Sequence, residues 1–163
     1  MRVLGIDPGL NITGYGILDE NNQQITLVEA GVVRTKVKAS TGERLAEIGR
    51  EIGQIIAQYV PDVMAVEELY SHYAHPKTAI IMGHARGVIF FKAAEAGLPI
   101  YSYAATRVKK SLTGNGRAPK EQVQLMIRST LSLAEVPEPP DVADALAVAL
   151  CHCRSLQQRE VLS

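Results

Sequence analysis

The chain has 163 residues, 47% hydrophobic and 21% charged, with 17 basic residues balanced by 17 acidic ones. That length and composition fit one compact soluble domain with a sizeable core, and no repeat or low-complexity tract interrupts it. Zero net charge removes any global pull toward nucleic acid, and no apolar run approaches the ~18 residues that suggest a membrane span.

Met1-Arg2 leads straight into the apolar run ending at Asp7, without a signal-peptide layout, so a cytoplasmic protein with no membrane partner is expected. Arg2–Ile6 reads as a first strand and Pro8-Gly9-Leu10-Asn11 as a turn. Thr13–Leu18 and Ile25–Thr35 read as the next two strands, joined at Asn21-Asn22. Leu45, Ile48, Ile52, Ile55, Ile56 and Tyr59 then fall on one helical stripe, which Val60-Pro61 ends. Asp62–Glu67 is a nearly continuous apolar run, as in a strand buried on both faces. After a loop over Leu69–His75, Pro76 opens a helix that stops at Gly97. Pro99–Tyr103 is a fifth strand, followed by helices over Ala105–Leu112, Lys120–Leu133 and Asp141 to about Ser155. The last helix has Val142, Ala145, Leu146, Ala149, Leu150 and Cys153 on one face. A three-strand meander followed by helical crossovers predicts an α/β fold with a five-stranded mixed sheet, three strands antiparallel and two parallel, flanked by helices. The domain is expected over 1–157, with a short tail over 158–163.

Four carboxylates carry the chemistry. Asp7 and Glu67 each end a strand, and Asp141 and Asp144 lie three apart on a helix, hence on one face. If the two strands are parallel neighbours, both their acids project at one edge of the sheet, and the helix face can cover that edge. Acids at the ends of buried strands are costly unless compensated, and divalent cations would compensate them. An all-oxygen set argues for Mg²⁺ or Mn²⁺, and a pair of such ions is a device for cutting phosphodiester bonds. Taken singly, each acid also has a plain reading. Asp7 suits the turn before Pro8, Asp141 suits a first helical turn, and Glu67 could face solvent. The cysteines, Cys151 and Cys153, flank His152 and lack a second ligand pair, so they read as apolar fillers of a helix. Between Ala104 and Lys120 there are five basic residues and no acid, a local positive region in a neutral chain.

Seven segments in order resemble the RuvC family of bacterial Holliday junction resolvases, which have an RNase H-like fold. They are Gly5-Ile6-Asp7-Pro8-Gly9, Val66-Glu67-Glu68-Leu69-Tyr70, Gly83-His84-Ala85-Arg86-Gly87, Val108-Lys109-Lys110, Gly114-Asn115-Gly116, Lys120-Glu121-Gln122-Val123 and Asp141-Val142-Ala143-Asp144-Ala145-Leu146-Ala147. The resemblance implies a homodimeric endonuclease that nicks four-way DNA junctions symmetrically, in recombination and repair, leaving 5′-phosphate and 3′-hydroxyl ends. It implies two Mg²⁺ per site, with Mn²⁺ as a substitute, held by Asp7, Glu67, Asp141 and Asp144. Lys120 matches a lysine near the scissile phosphate, and Lys109 another in the DNA cleft. Tyr70 matches an aromatic at the branch point, where stacking on a base is worth ~1–3 kcal/mol. Arg86 is expected to meet the DNA backbone or to support the nearby loop. Gly83 and Gly87, with Ile80, Ile81, Val88 and Ile89, fall on the helix that forms the family's dimer interface. Cooperation with the RuvAB branch-migration complex is implied as well. With no net charge, binding should lean on Arg107, Lys109, Lys110, Arg117 and Lys120 and be steeply salt-sensitive.

The loop Tyr70–Lys77 departs from the family pattern, being about one residue longer and carrying His72, Tyr73 and His75. Three other readings compete. An ATP-binding protein of the actin and Hsp70 type needs a second phosphate loop that this chain lacks. A non-catalytic junction-binding module would not need all four acids. The YqgF-like RNase H-fold nucleases fit the order of the basic motifs and the Asp-x-x-Asp helix start less well.

Overall fold

The computed structural model describes residues 1–69 and 76–161. Strands β1 (Arg2–Asp7), β2 (Ile12–Asn21) and β3 (Gln24–Arg34) form the antiparallel meander. The β2–β3 turn is tight because Asn22 and Gln23 both take positive φ, 50° and 67°, which matches the twist of the flanking strands. Helix α1 (Thr41–Tyr59) starts in a capping box between Ser40 and Glu43 and stops where Val60 turns left-handed before Pro61. Strand β4 (Val63–Glu67) runs parallel to β1, and after helix α2 (Pro76–Glu95) strand β5 (Ile100–Tyr103) runs parallel to β4. Helices α3 (Ala105–Thr113), α4 (Lys120–Thr130) and α5 (Pro140–Val161) complete the chain. The sheet order is β3-β2-β1-β4-β5, the mixed five-stranded sheet expected.

Strand alternation divides the core into two layers. Leu4, Ile6, Ile17, Met64 and Val66 point one way and pack with Ile48, Ile52, Ala85 and Ile89 of α1 and α2. Val3, Leu18, Val63 and Ala65 point the other way and pack with α3, α4 and α5. On that second face α5 lies against the strands. A Cβ at Gly5 would collide with the Ala145 carbonyl oxygen, and one at Gly14 with that of Asp141. Only glycine lets the backbones approach so closely.

Four expectations need correction. Helix α4 ends at Thr130, not Leu133. Ser132 takes φ 52°, and its N–H and that of Leu133 bond the carbonyls of Ser129 and Arg128, 3.3 and 2.9 Å away. This is a Schellman turn, and it folds Leu133 back onto the core that buries Leu131. Helix α5 is buried nearly all round from Val142 to Cys153, not on one face, because the sheet covers one side and α3 and α4 the other. It also runs on to Val161, beyond the end expected near Ser155. On α2, Ile89 is fully buried within the chain and so is not available to a partner, while Val88 is half-buried beside Gly49.

Candidate active site

β1 and β4 pair in parallel with Gly5 beside Ala65 and Ile6 beside Val66. The next residues along are Asp7 and Glu67. Alternation sends both to the α5 face, since Val3 and Ala65 already point there. The close approach of α5 at Gly5 and Gly14 brings its first turns, with Asp141 and Asp144, over the same strand ends. The four acids predicted from separate segments therefore meet at one edge of the sheet.

Their electrostatics show how near they are. Burial, first, and then the charges of Asp144, Asp141 and Glu67 push the Asp7 carboxyl up to about 7 from an ordinary 3.8. Burial and Asp144 likewise raise Glu67, against the pull of Lys109, Lys120 and Arg86. Such a set is over-supplied with negative charge. Its nearest cation, the Lys120 ammonium, lies 3.0 Å from an Asp144 carboxylate oxygen at the first turn of α4. Burial lowers the Lys120 pKa, but the hydrogen bond and the charges of Asp144, Asp7 and Asp141 outweigh it, and the net shift is upward. Among the described residues no three acid, histidine or cysteine side chains converge tightly enough to form a metal centre as they stand. The donor set nevertheless fits a hard cation, because it is all oxygen, half-buried and mutually repelling. A cleft of about 230 Å³ opens beside it, lined by Glu67, Asp144, Lys109 and Lys120 over Val108 and Ala147. A larger cavity, about 780 Å³, lies far along the chain's other elements, between the start of β3 and the end of α4, and no acid lines it.

Other predicted residues fall elsewhere. The Arg86 guanidinium bonds the backbone carbonyl of Glu67 and, at 3.1 Å, the Ser102 hydroxyl, and it stacks on Phe90. It supports the end of β4. The basic patch is split by α3: Lys109 faces the cleft, whereas Arg107 and Lys110 face away from it. Arg117 is exposed on the loop before α4. Tyr70 lies outside the described residues, as do His72, Tyr73 and His75. Ile80 is 59% exposed, and a Cβ at Gly83 or Gly87 would touch nothing, so this stripe of α2 packs on no other part of the described chain. Cys151 and Cys153 are buried and free, and burial pushes the Cys153 thiol up to about 12. His152 is buried too, with Nδ1 2.6 Å from the Tyr103 hydroxyl, a bond that ties α5 to β5.

The sequence reading missed the brace behind Asp7. The buried Thr13 hydroxyl donates to the Gly9 carbonyl at 2.7 Å, and Thr35 donates to Leu10 at 2.6 Å. Arg44, also buried, bonds Thr35 at 2.9 Å and the Asn11 side chain. A polar residue breaking the apolar pattern of β2 was the one available signal, and it pointed to Thr13 alone.

The chain matches known proteins along nearly its whole length. The family model described as "Crossover junction endodeoxyribonuclease RuvC" matches residues 3–152. A protein of that name from Rhodopirellula baltica is 52% identical over 149 residues, 91% of this chain and 84% of the relative. The structure of Thermus thermophilus RuvC superposes with a TM-score of 0.88 at 35% identity, covering 98% of this chain and 97% of that one. T. thermophilus RuvC in complex with Holliday junction substrate gives 0.89 at 34% identity, with 97% and 96% covered.

Proposed function

This chain belongs to the RuvC family of crossover junction endodeoxyribonucleases, and from that premise we propose how its residues cut DNA. It is an endonuclease that resolves four-way (Holliday) junctions in recombination and repair. We infer paired, symmetric nicks by metal-dependent hydrolysis of phosphodiester bonds, leaving 5′-phosphate and 3′-hydroxyl ends. The observation that carries this is the approach of Asp7, Glu67, Asp141 and Asp144 to one another at one edge of the sheet, beside Lys120 and the cleft that Glu67 and Asp144 line.

Asp7, Glu67, Asp141 and Asp144 are the residues that would hold Mg²⁺ or Mn²⁺. A pair of such ions supplies activation of the attacking water and stabilisation of the leaving 3′ oxygen. The residues of the chain do the rest. Lys109 and Lys120 line the cleft and draw a phosphate into it. Lys120, already aimed at Asp144, is positioned to donate to a phosphate oxygen as negative charge builds there. Arg86 fixes the Glu67 backbone so that its carboxylate keeps its place. Arg44, Thr35 and Thr13 do the same for the turn that follows Asp7.

Symmetric cutting needs two sites related by a two-fold axis. The exposed stripe of α2 suits the interface: Ile80, Ile81 and Phe91 are 59%, 41% and 61% exposed, with Gly83 and Gly87 open between them. A second copy of the chain packing there would bury this apolar surface. Tyr70 is proposed as the stacking aromatic at the branch point. Family membership points to RuvAB as the branch-migration partner, in the cytoplasm.

The test is an immobile four-way junction and a matched linear duplex, each labelled, incubated with the protein in Mg²⁺ and in Ca²⁺. Paired, ligatable nicks on the junction alone, dependent on Mg²⁺, are expected. Cutting of both substrates would show a general nuclease. Binding without cutting, in Mn²⁺ as well and across several junction sequences, would show a junction-binding module.

A further inference from the structure

Helix α3 separates two basic surfaces. Residues two apart on a helix point about 200° from one another. Thus Lys109 faces the cleft while Arg107 faces the opposite side. There, a second cavity of about 330 Å³ is lined by Arg107, Lys110, Ser111, Gly114, Arg154 and Ser155. No acid lines it.

The cavity is built, not merely charged. Arg107 is held in place: its guanidinium lies 5.0 Å from the Tyr103 ring centroid and donates to the Ser155 hydroxyl at 3.4 Å. One weak bond leaves most of its N–H donors open. The Lys110 ammonium has no hydrogen-bond or ion-pair partner among the described residues. Arg154 forms the floor. It donates to the carbonyls of Ser111 and Leu112 at 2.6 and 3.2 Å and to the Thr130 hydroxyl at 3.1 Å. The C-terminal carbonyls of α3 would otherwise repel an anion, and Arg154 neutralises them. The Ser111 and Ser155 hydroxyls already donate to backbone carbonyls, so Arg107 and Lys110 are the donors left for a ligand.

We propose that this cavity is a second phosphate subsite, which takes a backbone phosphate of the DNA strand whose scissile bond lies in the cleft across α3. A helix is ~10 Å across and a DNA strand carries one phosphate per ~3.4 Å of axis, so the phosphate is about three nucleotides from the cut. A polyanion continuous with the strand in the cleft has both the charge and the spacing to fill the two sites together. The subsite rests on the functional reading above and adds to it a fixed point on the arm of the junction.

The test is junction binding in Ca²⁺ by wild type, Lys110→Glu and Lys110→Arg across a range of NaCl, with thermal melting to show that each variant folds. Lys110→Glu should bind about tenfold more weakly at moderate salt and lose about 0.7–0.9 from the slope of log affinity against log salt. Lys110→Arg should restore both. A scan of neutral methylphosphonates along the cut strand should find one position, about three nucleotides from the cut, that weakens wild type but not Lys110→Glu. Unchanged affinity and slope in Lys110→Glu, or the same methylphosphonate profile for both proteins, overturns the subsite. If wild type itself does not bind the junction, the functional reading falls and the subsite falls with it.

Discussion

The two faces of the sheet both bury apolar side chains but differ in what else they carry. Toward α1 and α2 the strands offer Leu4, Ile6, Ile17, Met64 and Val66, which meet Ile48, Ile52 and Ile89 in an ordinary aliphatic core. Toward α5 the same strands offer Gly5, Gly14, Asp7 and Glu67. Both faces bury apolar side chains, but at Gly5 and Gly14 the second gives up side chains for closeness, and it alone ends in mutually repelling acids. The acids lie on one face only, so variants of the two faces should separate stability from reactivity.

The largest effect should come from Asp144→Asn. It keeps the shape of the site and removes one charge, so cleavage should fall by at least on the order of a thousandfold while junction binding in Ca²⁺ stays. Retained cleavage would remove Asp144 from the metal site. Next, Gly5→Ala drives a methyl into the Ala145 carbonyl. Overpacking of this kind costs about 1–3 kcal/mol. Because α5 must move, Asp141 and Asp144 move with it, and activity per folded molecule should collapse. Ile52→Ala on the other face should be the reverse, costing about 2–5 kcal/mol of stability with activity per folded molecule kept. Chemical denaturation paired with single-turnover nicking measures both, and equal activity losses would erase the distinction between the faces. Smaller still, Lys120→Ala should slow the chemical step by about a hundredfold, more than it weakens binding. A loss of affinity alone would reduce Lys120 to a docking charge.

Much of this was legible in the sequence because it is written in short periods. The alternation of β1 and β4 placed Asp7 and Glu67, and the three-residue spacing placed Asp141 and Asp144. Contacts between remote segments were not written that way. Arg44 reaches Asn11 and Thr35 across a strand and a turn, and nothing in the spacing of these residues announces it. The all-round burial of α5 was hidden because alanines read as neutral when the covering helices are unknown. The split of the basic patch lay within reach of the helical period, since Lys109 and Lys110 point about 100° apart, but clustering in sequence suggested one surface. Tyr70 and its loop lie outside the described residues, so the branch-point contact rests on resemblance alone.

The last predicted effect is on stability alone, and it separates the faces by pH. Asp7 is held up to about 7, by burial first and then by Asp144, Asp141 and Glu67, from an ordinary 3.8. Between those two values the folded chain keeps a proton that the unfolded chain has released. Stability in the metal-free protein therefore falls as pH rises through this window and levels off above about 7, a loss on the order of 2–4 kcal/mol. Tm in a chelator should drop between about pH 5 and pH 8. Asp7→Asn cannot ionise, so it should flatten most of that drop and melt above the parent at the higher pH, while losing cleavage. Mg²⁺ should raise the parent's Tm at the higher pH by binding the ionised acids. Ile52→Ala, on the face of the sheet away from the four acids, should lower Tm by about the same amount at both pH values. A parent Tm that does not fall with pH, or a fall that persists undiminished in Asp7→Asn, would mean that the acids do not strain one another. The α5 face would then be no less restful than the aliphatic one behind it.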